Sequence, residues 1–192
     1  MRASPHGREI AHLPAGTLLT IGHSTLEGAD FIASLRAQDV KLLADVRRHP
    51  ASRRVPWTNA AALERLLAES GIGYQHLEGL GGRRAPLAGS PNSGWRNPQF
   101  RGYADHMASP EFADALERLL LLAAERRTAV MCAEAQWWRC HRRLLSDALV
   151  ARGVEVLHLS ARGDVERHEL TPFAIVERGR LTYPPAQATL EL

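Results

Sequence analysis

Lysine is almost missing from this chain. Lys41 is the only one, so 23 of the 24 basic residues are arginines. Chemistry that needs a lysine amine must therefore use Lys41. Arginine offers a fixed fork of donors suited to phosphate or carboxylate, although a bias in codon composition would give the same excess. Cysteine is scarce as well. Two in 192 residues exclude a disulfide framework of the kind that staples small secreted domains. No run approaches the ~18 uninterrupted apolar residues of a membrane span. The segment Met1 to Gly16, with His6, Arg8, Glu9 and His12, has no apolar stretch behind a positive start, so nothing in it reads as a secretory leader. These absences lead to the expectation of a cytoplasmic protein with no membrane partner. Internal repeats and low-complexity tracts are missing too.

What is present suits one folded domain. Hydrophobic residues make up 45% and charged residues 23%, with a net charge of +3, far from the composition that keeps chains disordered. From Thr17 onward, apolar runs of strand length alternate with amphipathic segments of helix length, which predicts an α/β fold. The expected architecture is a single-domain, mostly parallel sheet with helices on both faces, a Rossmann-like three-layer sandwich, followed by a small C-terminal β-hairpin. Its domain limits are residues 17–183, between a flexible N-terminal segment (1–16) and a loose C-terminal tail (184–192). Strands are expected at Leu18–Ile21, Lys41–Val46, Gly73–Leu77, Thr128–Cys132 and Val154–Leu159. Ser24 and Glu27 form the spacing of a capping box before a helix carrying Phe31, Ile32 and Leu35. Thr58 or Asn59 caps a second helix that Gly71 stops, and Ser109-Pro110 starts a third. A further helix is expected from about Trp138 to Arg152, ended by Gly153. Residues 79–108, rich in glycine and proline, read as an excursion longer than ordinary connections and hence as a functional segment.

In an open parallel sheet, ligands bind beyond the carboxyl ends of the strands. Those ends are polar here: His23 and Ser24 follow the first strand, Asp45, Arg47, Arg48 and His49 the second, and Cys132 and Glu134 the fourth. His76, Glu78 and His158 lie near the others. The run from Cys132 to Arg142 puts one thiol at a strand end and another, Cys140, at the start of the next helix, where a thiolate is stabilised. A cysteine-phosphatase loop is excluded, because the arginine it requires falls at Trp138 and Glu134 would repel a bound phosphate. Cys132 and Cys140 are also weak candidates for metal ligands. Their separation is wider than the pairs of structural zinc sites, and Cys140 equally continues the apolar stripe of Leu144 and Ala148. Arg143 and Asp147 are spaced as a solvated surface pair. Two segments, Val46 to Leu63 and Gly79 to Ala104, contain no acidic residue but carry Arg47, Arg53, Arg83 and Arg101 among others, with Trp57, Trp95, Phe100 and Tyr103. Arginine for phosphate with aromatics for base stacking suits a nucleotide or a single strand, unless the aromatics simply anchor the loop.

Five motifs in order resemble a bacterial family, domain of unknown function 488. They are Thr20-Ile21-Gly22-His23-Ser24; Asp45-Val46-Arg47 with Pro50, Ser52 and Arg53; Leu80-Gly81-Gly82; Phe100-Arg101-Gly102-Tyr103-Ala104; and Cys132-Ala133-Glu134 followed by Cys140-His141-Arg142. The likeness spans about Thr17 to Leu159. It implies a compact α/β domain whose motif positions share one site, and it brings no reaction. The two tryptophans between Glu134 and Cys140 depart from a polar filling.

The expected function is an enzyme acting on a phosphate-bearing substrate, a nucleotide or nucleic acid, in a cleft above the sheet. Cys132, Glu134, Asp45 and His23 are the expected catalytic residues, and Arg47, Arg53, Arg83, Arg101, Tyr103, His141 and Arg142 the substrate-binding ones. The alternatives are a non-catalytic nucleic-acid-binding module and a metal-binding protein. No cofactor is implied.

Overall fold

Leu18, Leu19, Thr20 and Ile21 are all buried, as a strand covered on both faces requires, and they form β1 (Leu18–Gly22) at the centre of the sheet. The computed structural model describes residues 16–160 and 164–185. Most of the expected segments 1–16 and 184–192 lies outside the described residues. The other parallel strands are β2 (Leu42–Asp45), β3 (Gly73–His76), β4 (Thr128–Cys132) and β5 (Val156–Leu159). Strand order is β3-β2-β4-β1-β5, extended by a short antiparallel edge strand, β6 (Val165–Arg167). A separate hairpin pairs β7 (Ile175–Glu177) with β8 (Arg180–Thr182). The α/β reading therefore holds, with β6 an addition that three exposed residues did not announce.

Period-two alternation divides the core. Leu19, Ile21, Leu43, Ala129 and Met131 face α1 (Gly28–Ala37) and α2 (Ala60–Glu69). Leu18, Ala44, Val130 and Cys132 face the opposite layer. That layer holds α3 (Pro98–His106), α4 (Pro110–Glu125), α5 (Arg142–Val150) and the ring of Tyr183. Connections now decide where a ligand can sit. β1 leaves through α1 on one face, and its neighbour β4 leaves through α5 on the other. Their carboxyl ends diverge, which opens a crevice at a topological switch point. In register, Gly22 stands opposite Cys132.

Several local expectations need correction. Ser24 does not cap α1; it sits at φ 46°, and Glu27 takes the N-cap position without a side-chain hydrogen bond. Ser109 does cap α4, its hydroxyl accepting from the Phe112 amide at 3.2 Å. α5 begins at Arg142, after a short 3-10 turn over Trp137–Arg139, so Cys140 precedes the helix. Arg143 and Asp147 form no surface pair. Asp147 is fully buried and bonded elsewhere, while Arg143 bonds the Thr171 hydroxyl and lies over the Trp95 ring.

The glycine-rich excursion is an ordered structure. Asn97 accepts from the Gln99 amide and, with Pro98, starts α3. The Asp105 carboxylate gathers the strand of chain before it, accepting from the Leu87 amide (2.9 Å), the Ser90 hydroxyl (2.6 Å) and the Asn92 amide group (2.8 Å). Trp95 is buried against Phe100, Phe173 and Tyr183. It anchors the loop, and its ring is not offered to a base. Arg101 donates to the Trp95 carbonyl from Nε and a terminal nitrogen, which makes it a brace for the loop.

Candidate functional site

The crevice between β1 and β4 opens into a cavity of about 370 Å³, within the range of pockets that hold small organic ligands. Both thiols reach it. Cys132 comes from the end of β4, and Cys140 from the residue two before α5; their sulfurs lie 3.2 Å apart. Two nitrogens of Arg142, the backbone amide and Nε, each donate to the Cys140 sulfur at 3.3 Å. Burial by itself would raise the Cys140 thiol. The S–H of Cys132 and the adjacent Arg142 charge outweigh it and bring Cys140 down to about 5. Burial pushes Cys132 the other way, well above the ordinary thiol range, and its hydrogen bond to Cys140 adds to the rise. The pair is thus a thiolate at Cys140 receiving a hydrogen bond from a protonated Cys132. The sequence expectation made Cys132 the reactive sulfur, whereas both Arg142 donors go to Cys140.

Arg142 does not line the cavity. Its side chain is buried, and beyond the sulfur it donates to the carbonyls of Glu134 and Ala135 and to the Thr20 hydroxyl. Its guanidinium holds the Cys132-to-Cys140 loop against β1. That approach needs Gly22: a Cβ there would stand 1.8 Å from the Glu134 carbonyl oxygen and 2.8 Å from the Arg142 guanidinium.

Behind Arg142 a buried polar chain continues away from the cavity. Thr20 Oγ1 meets His158 Nδ1 at 2.6 Å, His158 Nε2 meets His168 Nδ1 at 3.0 Å, and His168 Nε2 meets Asp147 Oδ1 at 2.9 Å. Asp147 also accepts from the Tyr183 hydroxyl at 2.8 Å. Because the carboxylate can only accept, His168 donates to it through Nε2. Desolvation, helped by the neighbouring His168, pushes His158 down to about 2. Trp137 stacks on it at 4.0 Å.

His23 lines the cavity from the β1 side. Its Nδ1 donates to the Ser24 carbonyl at 3.0 Å, and burial lowers its pKa. Nε2 is buried with no hydrogen-bond partner among the described residues, although the residue is only 3% exposed. A native structure seldom leaves such an atom without a partner. His141 is oriented the same way, with Nε2 on the Val46 carbonyl at 3.0 Å and Nδ1 toward Gly82, where a Cβ would come within 2.8 Å.

The other expected residues divide. Arg47, Arg83, Tyr103, Glu134 and His141 line the cavity with His23 and the two cysteines. Asp45 does not. Its fully buried carboxylate takes Arg47 in a two-point pair (2.9 Å from Nε, 2.6 Å from a terminal nitrogen) and also the Tyr74 hydroxyl at 3.0 Å. Asp45 therefore positions Arg47 and is saturated, which removes it as an acid or base. Arg53 is exposed and outside the cavity. Tyr103 offers its ring only, since its hydroxyl donates to the Leu80 carbonyl at 2.9 Å. Arg48, His49 and Arg139 also line the cavity. The first two lay in the arginine-rich segment already singled out; Arg139 is brought round by the 3-10 turn, which no sequence signal marked. Glu134 is the one carboxylate among these lining residues. No group of three or more His, Cys, Asp or Glu side chains is placed for a metal among the described residues, and His141 is turned onto Val46 instead of the thiols. Among the same residues no helix is long and apolar enough to cross a membrane.

Comparison with known proteins adds a family. The model of a family described as Domain of unknown function DUF488 matches residues 28–149, a span that contains both cysteines and Arg47 but leaves out His23. No curated protein matches, and no solved structure does.

Proposed function

The chain belongs to the family described as Domain of unknown function DUF488, a description that supplies no reaction, and from the site itself we propose a cytoplasmic enzyme acting on a phosphate-bearing substrate. The observation that carries this reading is the meeting of a cysteine thiolate with a cavity lined by Arg47, Arg48, Arg83 and Arg139 and by a single carboxylate, Glu134. The arginines favour an anion, and guanidinium forks suit phosphate. Glu134 is exposed and lines the same cavity as Cys140, and its charge directs the phosphate to the Arg47, Arg48 and Arg83 side. The centre presented to Cys140 is then an electrophilic carbon of the same molecule, a nucleotide being the class that fits the volume. A sulfur–carbon bond forms as the bond from carbon to the leaving group breaks, and the leaving group takes a proton from solvent. Water, giving a proton to the Glu134 carboxylate, then displaces the sulfur and restores the thiolate, and Glu134 returns that proton to solvent.

Thermal unfolding with inorganic phosphate, pyrophosphate, mononucleotides and short single-stranded oligonucleotides tests the binding half. A ligand that binds only the native state raises the melting temperature. We expect a nucleotide to do so in the wild type and the response to vanish in Arg47→Leu. Intact mass measured during turnover should reveal an adduct that Cys140→Ser lacks. If no phosphate compound shifts the melting temperature beyond chloride at matched ionic strength, the reading fails. A second reading, a nucleic-acid-binding module, is favoured by one fact: both acid-free segments border this cavity, through Arg48, His49, Arg83 and Phe100. It predicts oligonucleotide affinity that falls steeply with salt and is indifferent to Cys140→Ser.

A further inference from the structure

We propose that Cys132 and Cys140 are a reversible dithiol–disulfide couple oxidised by hydroperoxides, in which Cys140 is the sulfur attacked and Cys132 the sulfur that resolves. This inference shares the thiolate assignment of the proposed function but not its phosphate substrate.

The geometry is the first support. The two sulfurs are 3.2 Å apart, closer than Cys132 Sγ is to the Glu134 carbonyl at 3.8 Å. A closure of about 1.2 Å brings them to disulfide length, ~2.05 Å. The residues between them form an irregular loop with exposed positions 133–136 and a single 3-10 turn, so the movement need not disturb β4 or α5. Access is the second support. Although both residues are nearly buried, both line the cavity, and a hydroperoxide headgroup is far smaller than the space available. The third support is the pair of Arg142 donors on the Cys140 sulfur, which favour the thiolate that attacks.

The steps balance. The Cys140 thiolate attacks the outer oxygen of ROOH; a sulfur–oxygen bond forms, the O–O bond breaks, and RO⁻ leaves. The Cys132 thiol gives RO⁻ its proton, yielding ROH and a Cys132 thiolate. That thiolate attacks the Cys140 sulfenic acid, expelling hydroxide and forming the disulfide. Two electrons pass from the sulfur pair to the peroxide. An external dithiol returns both cysteines to the reduced state by exchange. The oxidised form has no thiolate for Arg142 to hold, so the same event switches off any chemistry that Cys140 performs.

The test uses the reduced full chain and one equivalent of hydrogen peroxide under native conditions, read by intact mass, thiol alkylation and peptide mapping. In the wild type we expect the loss of two hydrogens, no alkylatable thiol, a Cys132–Cys140 cross-linked peptide, and full reversal by dithiothreitol. Cys132→Ser should stop at a sulfenic acid on Cys140 that dimedone traps, and Cys140→Ser should leave Cys132 unoxidised; circular dichroism checks that each variant is folded. Two free thiols surviving peroxide in the wild type would overturn the proposal. So would over-oxidation of Cys140 with Cys132 still free, and both outcomes are read on the wild type alone. The nucleotide thermal shift is measured separately on reduced protein. Disulfide formation without that shift defeats only the phosphate reading, and the shift without a disulfide defeats only the couple.

Discussion

Arg142 holds Cys140 from two directions, its backbone amide and its Nε both donating to the sulfur at 3.3 Å. One residue thus supplies the charge, the hydrogen bonds and, through the Glu134 and Ala135 carbonyls, the shape of the loop that carries the other thiol. In Arg142→Met, the pH profile of alkylation by iodoacetamide should move from a midpoint near 5 toward the ordinary thiol value of 9.0. Stability should fall by roughly 1–3 kcal/mol as the two carbonyls lose their donors. Arg142→Lys keeps the charge but not the fork and should fall between. An unmoved midpoint in the methionine variant would show that something else holds the thiolate.

Gly22→Ala tests whether β1 must lie this close to the loop. Its new methyl meets backbone at Glu134, which cannot rotate away, as well as the Arg142 guanidinium. The loop must retreat, and Arg142 with it. We expect a lower melting temperature together with slower alkylation of Cys140 at neutral pH. A loss of stability with unchanged alkylation would separate the packing of β1 from the state of the thiol.

Asp45→Asn addresses the positioning of Arg47. Both groups are buried, and removing one partner of a buried ion pair costs roughly 3–5 kcal/mol because the other charge is left uncompensated. The melting temperature should therefore drop sharply, and the nucleotide response with it. Replacing both residues, as Asp45→Asn with Arg47→Leu, should recover part of the stability and none of the response. Recovery of ligand binding in the double variant would mean that Arg47 does not hold the anion.

These relationships also mark what the sequence could convey. Buried strands announce themselves as apolar runs, so β1, β2 and β4 and the polar residues at their ends were legible, and with them the place of the crevice. The direction of a long side chain is not. Arg142 follows a cysteine and a histidine at the start of a helix, which suggests a residue facing the ligand; only the start of α5 at Arg142, with Gly22 beneath, turns its guanidinium inward. Asp45 and Arg47, whose spacing also allows a plain ion pair, were assigned a catalytic and a substrate-binding part and prove to be one buried pair. α3 was hidden because Gly102, which helix propensity disfavours, is required there: a Cβ would strike the Arg84 carbonyl oxygen at 2.1 Å. Asp147 and His168 lie twenty-one positions apart, and no local pattern connects them.

Acid should destabilise this protein earlier than its carboxylates alone would dictate. His158 is held neutral to about pH 2, against an ordinary value of 6.5, and burial lowers His23 and His141 in the same direction. Between those limits the unfolded chain binds a proton at His158 that the native state refuses, so stability rises with pH up to about 6.5 and is then flat as far as this residue is concerned. Cys140 has the same sign over a higher range. Its folded pKa near 5 lies below the ordinary thiol value of 9.0, so its contribution grows from about pH 5 to about pH 9 and is lost as pH falls through 5. Cys132, raised in the native state, opposes this only above its ordinary value. Urea unfolding at intervals from about pH 5 to 8.5 should show stability increasing throughout, each such group adding at most about 1.4 kcal/mol per pH unit within its window. His158→Gln should make the rise below about pH 6.5 shallower, and Cys140→Ser should lower the slope throughout and leave the part above about pH 6.5 nearly flat. A stability that is level across this range in the wild type would mean that neither the buried imidazole chain nor the thiolate is held as described.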